Sequence, residues 1–310
     1  MKSVRVFAPA SVANVSCGYD VLGFAVHRPG DEVHITLNDS GRVSLDMVEG
    51  DNGRLPRNPE SNTVSAVVIN YLRHIGSGQG MGIKLFKKMP FGSGLGSSAA
   101  SAVGGLVAVN ELMGRPLSRI ELLPFAMEGE RLACGNAHAD NVAPSLLGGM
   151  VLIRSYDPLD VISLPVPGEL SCALVYPHVE IPTMAARQII RSNIPMASAV
   201  RQWGNVGGLI AGLFMNDYDL IGRSLVDHIV EPVRKMLIPH FDEMRSIAVE
   251  NGALGFGISG SGPTVFALCR DNSTADTIIG RLESRLRDHD LGSTCYISDI
   301  NTEGASVIKD

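Results

Sequence analysis

"PFGSGLGSSAASA", Pro90 to Ala102, sets three alternate glycines directly before a run of small, helix-tolerant residues. Gly92, Gly94 and Gly96 can take backbone angles closed to other residues, and they put no side chain between a ligand and the amides. Successive amides in such a turn form an anion nest, to which the next helix adds unpaired N–H groups and its positive end. Ser97 and Ser98 can cap that helix, and a hydroxyl there can also contact phosphate or Mg2+. This is not a Walker A loop, because no lysine follows the glycines. Nor is it a dinucleotide fingerprint, because Ser97 stands where G-x-G-x-x-G requires glycine. A glycine-rich turn packed on an ordinary buried helix fits the same letters. By itself the loop leaves both readings open.

The rest of the chain narrows the context. With 310 residues, 45% hydrophobic and 19% charged, it can bury a sizeable core and is long enough for two domains. The net charge of −6 is spread along the sequence, with no basic stripe and no aromatic-basic interleaving, so no nucleic-acid partner is expected. Cys17, Cys134, Cys172, Cys269 and Cys295 are scattered and form no CxxC or Cys/His cluster. Reduced thiols in a cytoplasmic protein are the expectation. "MKSVRVFAPA" lacks an apolar signal core, and no run approaches eighteen apolar residues, so no membrane partner is expected either.

Periodicity places a strand at Val4–Val6 ending at Pro9, and further strands over 31–48 with a turn at Asp39-Ser40-Gly41. "TVSAVVINYLRHIG" suits a helix closed by Gly76, and "GMGIKLFKKMP" a strand feeding the glycine loop. A helix from Ser97 or Ser98 to about Leu112 follows, then a second over "SRIELLPFAMEGERLAC" despite Pro124. "GGMVLIRSY" reads as a strand and "DPLDVISLPVPGE" as a connector, which puts a domain boundary near 155–170. Beyond it, strands "ELSCALVYP", "ALGFGISG" and "PTVFALC" alternate with helices near 183–191, 197–215, 217–230, 240–250 and 273–287. Strands mixed with helices in both halves imply an α+β or α/β protein rather than a bundle.

Two further stretches carry chemistry. "GISGSGPT", Gly257 to Thr264, can bring backbone N–H groups against a carboxylate or phosphate, or can simply be a tight turn. Glu128 and Glu130 precede "ACGNAHADN"; either can face solvent, or one can face the glycine loop and help hold Mg2+. His138, Asp140 and Asn141 form a polar cluster able to hold a small polar substrate or to cap secondary structure. Neither HExxH nor G-x-S-x-G occurs.

Taken together, "PASVANVSCGYDVLG" (Pro9–Gly23), "PFGSGLGSSAA" (Pro90–Ala100) and "GISGSGPT" make the chain resemble the GHMP small-molecule kinases. "HADNVAPSLLGGM" (His138–Met150) makes it most similar to their homoserine kinase branch, over essentially the whole length. The resemblance implies an α+β, two-domain GHMP kinase fold. Its N-terminal, nucleotide-binding domain, over 1–160, would be ribosomal-protein-S5 domain 2-like, and its C-terminal GHMP kinase domain, over 161–310, ferredoxin-like. It implies ATP-dependent phosphorylation of the L-homoserine hydroxyl in threonine biosynthesis, Mg2+ as cofactor, and a homodimer.

Carried onto this sequence, the resemblance wraps the ATP phosphates with Pro90, Phe91, Gly92, Ser93, Gly94, Leu95, Gly96, Ser97, Ser98, Ala99 and Ala100, with Asn62 near the base. Ser98 and Glu130 would form the metal site. Asn14, Asp20, His138, Asn141, Arg187, Arg234 and the Gly260 backbone would contact homoserine, whose ammonium suits Asp20 and whose carboxylate suits an arginine. Kinases of mevalonate or of a sugar share the superfamily and remain alternatives. A non-catalytic member would have lost Ser98, Glu130 or the loop glycines, and all are present.

Two departures stand out. "VANVSCGYD" replaces the family's more usual second serine and "GPGFD"-like ending, though Asn14, Gly18 and Asp20 are kept. Ungapped alignment on Gly135-Asn136 and Gly148-Gly149 puts Asn141 where mevalonate kinase carries the aspartate usually taken as general base, with Asp140 one residue earlier. An amide cannot accept a proton. The expectation is therefore catalysis mainly by positioning and charge stabilisation, with Asp140 the residue whose replacement tests it.

Overall fold

The computed structural model describes residues 2–309. The first sheet has seven strands: β1 (Ser3–Ala13), β2 (Leu22–Asn38), β3 (Val43–Glu49), β4 (Gly80–Phe86), β5 (Met150–Tyr156), β6 (Leu159–Leu164) and, from the far end of the sequence, Ser306–Val307. The last pairs antiparallel with β1. β2 organises this sheet, pairing with β1 along its length, with β4 over Glu32–Asn38 and with β5 over Leu22–Phe24. β1 does not stop at Pro9 as its sequence suggests. The proline sits at a register shift, where its missing N–H costs no ladder bond, and the strand runs on to Ala13.

Helices α1 (Thr63–His74), α2 (Ser97–Leu112) and α4 (Val142–Leu147) pack on this sheet, and α3 (Arg119–Cys134) packs on those helices. α2 is buried along most of its length, which its alanines and valines allow, its one charged residue, Glu111, lying near its end. Gly104 and Gly105 act by absence: a Cβ at Gly104 would lie 2.8 Å from Val33 Cγ2, and one at Gly105 2.9 Å from Val64 Cγ2. The helix thus lies close between β2 and α1 and fixes where its N-terminus emerges.

The second sheet comprises β7 (Ser171–Pro177), β8 (Gly255–Ile258), β9 (Val265–Cys269) and β10 (Ser293–Asp299), in the antiparallel order β10-β7-β9-β8. That order is the ferredoxin-like one expected. Between β7 and β8 lie α5 (Thr183–Gln188), α6 (Met196–Met215), α7 (Tyr218–Ser224), α8 (Glu231–Arg234) and α9 (Phe241–Glu250); α10 (Asn272–Asp288) precedes β10.

Three expectations need correction. The connector over 157–169 contains β6, whose proline-flanked residues form a hairpin with β5. The helix expected over 217–230 ends at Ser224, and the Asp227 carboxylate then caps the next turn by accepting from the amides of Ile229, Val230 and Glu231. A division at 160/161 falls inside β6: the sheets change between Leu164 and Ser171, and Ser306–Val307, here β11, lies on the first sheet. The two sheets meet through an edge-on contact of Phe24 with Phe266 and through His27 N–H, which donates to Ser298 Oγ at 2.7 Å.

Candidate active site

The glycine loop precedes α2 as a left-handed turn, with φ of +82° at Gly94 and +68° at Gly96. Neither position has room for a side chain. A Cβ on Gly94 would meet the Ser259 carbonyl at 2.4 Å, and one on Gly96 would meet Ser11 Oγ at 2.3 Å and Asn141 Oδ1 at 2.8 Å. Those neighbours come from the other motif blocks. Ser259 Oγ donates to the Gly94 carbonyl (2.8 Å), Thr264 N–H to the Ser93 carbonyl (3.0 Å) and Ser11 Oγ to Asn141 Oδ1 (2.8 Å). Blocks more than a hundred residues apart in sequence therefore close around one loop. The Ser93 hydroxyl is buried there without a hydrogen-bond partner, as a donor awaiting an anion would be.

A cavity of about 380 Å3 opens over this loop and is lined by Leu55, Pro56, Asn62, Lys87, Phe91, Ser98 and Glu130 among others. Asn62 faces it, but its side chain is engaged locally: Oδ1 accepts from Val64 N–H as the cap of α1, and Nδ2 donates to the Pro56 carbonyl at 2.9 Å. It shapes the Pro56 wall. Pro90, Leu95, Ala99 and Ala100 do not line the cavity. Leu95, Ala99 and Ala100 point into the core, because the turn before α2 and its first residues alternate between the two sides.

Lys87 was not singled out in the sequence, since it precedes the glycines rather than following them. Its buried ammonium pairs with Asp31 and donates to the Ser97 carbonyl (2.7 Å) and Ser101 Oγ (2.8 Å), which ties β4 to the start of α2.

A second cavity, of about 410 Å3, adjoins the first, and both are lined by Glu130, Cys134, Asn141, Gly260 and Ser261. The structure brings Asn14, Asp20, His138, Asp140, Asn141, Arg187, Arg234 and Gly260 together around it. Asn14 and Asp20 both have positive φ, and the Asp20 N–H donates to Asn14 Oδ1 at 3.0 Å. Asp20 forms an ion pair with Arg187 and lies 3.8 Å from His138 Nδ1. Arg234, buried, donates to the Gly260 carbonyl at 2.7 Å, as does Asn14 Nδ2 at 2.8 Å, while the Gly260 N–H goes to Ala13. The Gly260 backbone thus braces the Asn14 and Arg234 side chains.

Two tyrosines also missed in the sequence support these residues, Tyr19 in the cavity wall and Tyr156 behind it. Tyr19 lies under both guanidiniums, 5.6 Å from that of Arg187 and 5.4 Å from that of Arg234. Tyr156, from β5, donates its hydroxyl to the Asp20 carbonyl (2.7 Å) and accepts from Ala139 N–H (3.3 Å), linking the two loops that carry Asp20 and His138.

Electrostatically the cavity is acidic at its base. Burial raises the Glu130 carboxyl above the usual range, against the opposing pull of Ser98 and Lys87, and Oε1 is buried with no protein partner. Asp140 is pushed up to about 7, first by burial and then by the charges of Asp20 and Glu130. Burial lowers His138, whose two ring nitrogens make no hydrogen bond.

A glycine-rich turn at a helix N-terminus beside a pocket lined with charged side chains suits a small-molecule kinase, and the chain matches known kinases. Residues 62–149 match the model of the GHMP kinases N terminal domain, and residues 207–288 that of the GHMP kinases C terminal. The homoserine kinase of Chlorobium phaeobacteroides (strain DSM 266) is 50% identical over 99% of this chain and all of its own. The chain belongs to the homoserine kinase family of GHMP kinases. A homoserine kinase of Chloroherpeton thalassium is 48% identical over 99% of this chain. Among solved structures, the homoserine kinase from Cytophaga hutchinsonii is 56% identical, covers 99% of this chain and 98% of its own, and superposes with a TM-score of 0.97. Mevalonate kinase of L. major, solved with R-mevalonate, shares the fold at a TM-score of 0.73 and 15% identity, covering 97% of this chain and 96% of its own.

Proposed function

We propose that the protein transfers the γ-phosphoryl group of ATP to the side-chain hydroxyl of L-homoserine, giving O-phospho-L-homoserine and ADP in threonine biosynthesis. The observation that carries this reading is the meeting of two cavities at Glu130 and Asn141. On one side are the glycine loop and the buried Ser93 hydroxyl, and on the other Asp20 beside Arg187. Opposite charges held side by side complement a zwitterion: the ammonium goes to Asp20, the carboxylate to Arg187 and Arg234.

In this reading the loop amides and the N-terminus of α2 orient the phosphates and stabilise charge on the transferred group. The paired arginines fix the amino acid so that its hydroxyl lies toward Asn141, and positioning supplies much of the acceleration. Ser98 and Glu130 suit Mg2+, since both offer hard oxygen donors and the Glu130 Oε1 is buried without a partner. When bound, Mg2+ neutralises phosphate charge. A second reading of the proton's path rests on Asp140, which lines the alcohol cavity and titrates at about 7, where a base is best poised.

A coupled ADP-release assay tests the function: turnover with L-homoserine is expected, and turnover with mevalonate but not homoserine would overturn it. Asp140→Asn separates the two proton paths. A kcat within about tenfold of the parent's supports positioning, and a loss in the roughly 10²–10⁴-fold range of general-base catalysis supports Asp140 as base. Exposed Trp203, Phe214 and Met215 on α6 support a homodimer, which light scattering would detect, and five free thiols suit a reducing cytoplasm.

A further inference from the structure

Away from both cavities, the start of α9 and the end of α10 bring His240, Glu243 and His289 together. Their donor atoms all lie within 4.8 Å of one another. Glu243 Oε2 is 2.9 Å from His289 Nε2 and 3.7 Å from His240 Nδ1. The two imidazole rings stack, with centroids 3.7 Å apart and planes 12° from parallel. Arg285 holds the other oxygen of the same carboxylate, Oε1, and so turns Oε2 toward the rings. None of the three residues lines the nucleotide or alcohol cavity.

We infer that His240, Glu243 and His289 form a binding site for a borderline divalent transition cation of the Zn2+ type. Tetrahedral coordination at ordinary Zn–N and Zn–O lengths sets neighbouring donors about 3.4 Å apart. The two donor distances here bracket that value, and binding requires the stacked rings to tilt apart from their 12° alignment so that both in-plane lone pairs converge on one ion. Two imidazoles and one carboxylate favour Zn2+ over Mg2+, which takes oxygen ligands and keeps its waters. All three side chains are about one-third exposed, which leaves the fourth position to solvent and gives the ion an open entry path. Arg285 plays the part of an outer partner that fixes a ligating carboxylate. The bound ion would clip residues 46 apart in sequence, joining the ends of the two helices that cover the second sheet.

The test is Zn2+ titration of the full chain by calorimetry, in excess Mg2+ to occupy oxygen-donor sites, with Co2+ absorption as a spectroscopic readout. The expected result is one Zn2+ per chain and a higher Tm. Affinity should fall by about 100-fold or more in His240→Ala and in His289→Ala, losing a ligand being at least as costly as losing an outer partner. His178→Ala, outside the cluster, should bind as the parent does. Retained phosphoryl transfer in the cluster variants would show that they fold, so failure of this site is distinguishable from failure of the proposed function. No Zn2+ uptake by the parent, or equal uptake by all four proteins, would overturn the assignment.

Discussion

Replacing Asp140 by asparagine should change how stability depends on pH. The carboxyl is raised from 3.8 to about 7 in the folded chain, chiefly by burial and then by Asp20 and Glu130. The folded state therefore holds this proton more tightly than the unfolded chain does. Below pH 3.8 both states are protonated and nothing is lost. Between 3.8 and about 7 stability falls as pH rises, and above that the full penalty persists. At about 1.36 kcal/mol per pKa unit, that penalty is on the order of 4 kcal/mol, of which about 3 kcal/mol develops between about pH 5 and pH 8.5. Asparagine cannot ionise, so the variant escapes this slope. Urea unfolding of both proteins at those two pH values gives the comparison. The variant should gain about 3 kcal/mol relative to the parent on going to the higher pH. If the difference between the two proteins moves by less than about 0.5 kcal/mol, Asp140 titrates like an exposed carboxylate and the account of its burial is wrong.

Gly94→Ala would place a methyl group 2.4 Å from the Ser259 carbonyl at a φ of +82°, so Tm and ATP affinity should both drop. The left-handed backbone alone costs about 1–2 kcal/mol, and unchanged ATP binding by calorimetry would argue against the loop as the phosphate cradle. Lys87→Met strands Asp31 without its cation and should destabilise the fold by about 3–5 kcal/mol; chemical denaturation of this variant beside Lys87→Met/Asp31→Asn should show part of the loss recovered in the double variant. Tyr156→Phe removes the hydroxyl that joins the Asp20 and His138 loops. At about 1 kcal/mol, KM for homoserine should rise roughly fivefold while KM for ATP holds, and equal rises in both would point to a general loss of structure.

Much of this was legible in the letters because motif spacing survives in sequence. The glycine loop and the helix after it are local: three residues at positive φ and a run of alanines need no distant partner to be recognised. In the second cavity, Asp20, Arg187 and Arg234 were reachable only through resemblance, since the two arginines look like any others until the fold turns them toward Tyr19. β6 was missed because its prolines suggest a connector, whereas only its ends are proline-flanked. Lys87 and Tyr156 were missed for a different reason. Each acts through partners brought near by pairing of remote strands, and no local pattern encodes that.

β11 gives the protein an order of assembly. It pairs with β1, Val6 opposite Val307, although the whole second sheet lies between them in sequence. The segment leading to it is fastened as well: Arg119 donates to the carbonyls of Leu146, Glu303 and Ala305, and Asn301 Oδ1 accepts from the amides of Glu303 and Gly304. A ribosome releases β11 after every other strand. The half that carries the glycine loop therefore waits, with one edge of its sheet unpaired, until the half that carries Arg187 and Arg234 has been made. A nascent chain stalled before that point exposes a strand edge to its neighbours, so synthesis rate over the second half becomes a determinant of yield.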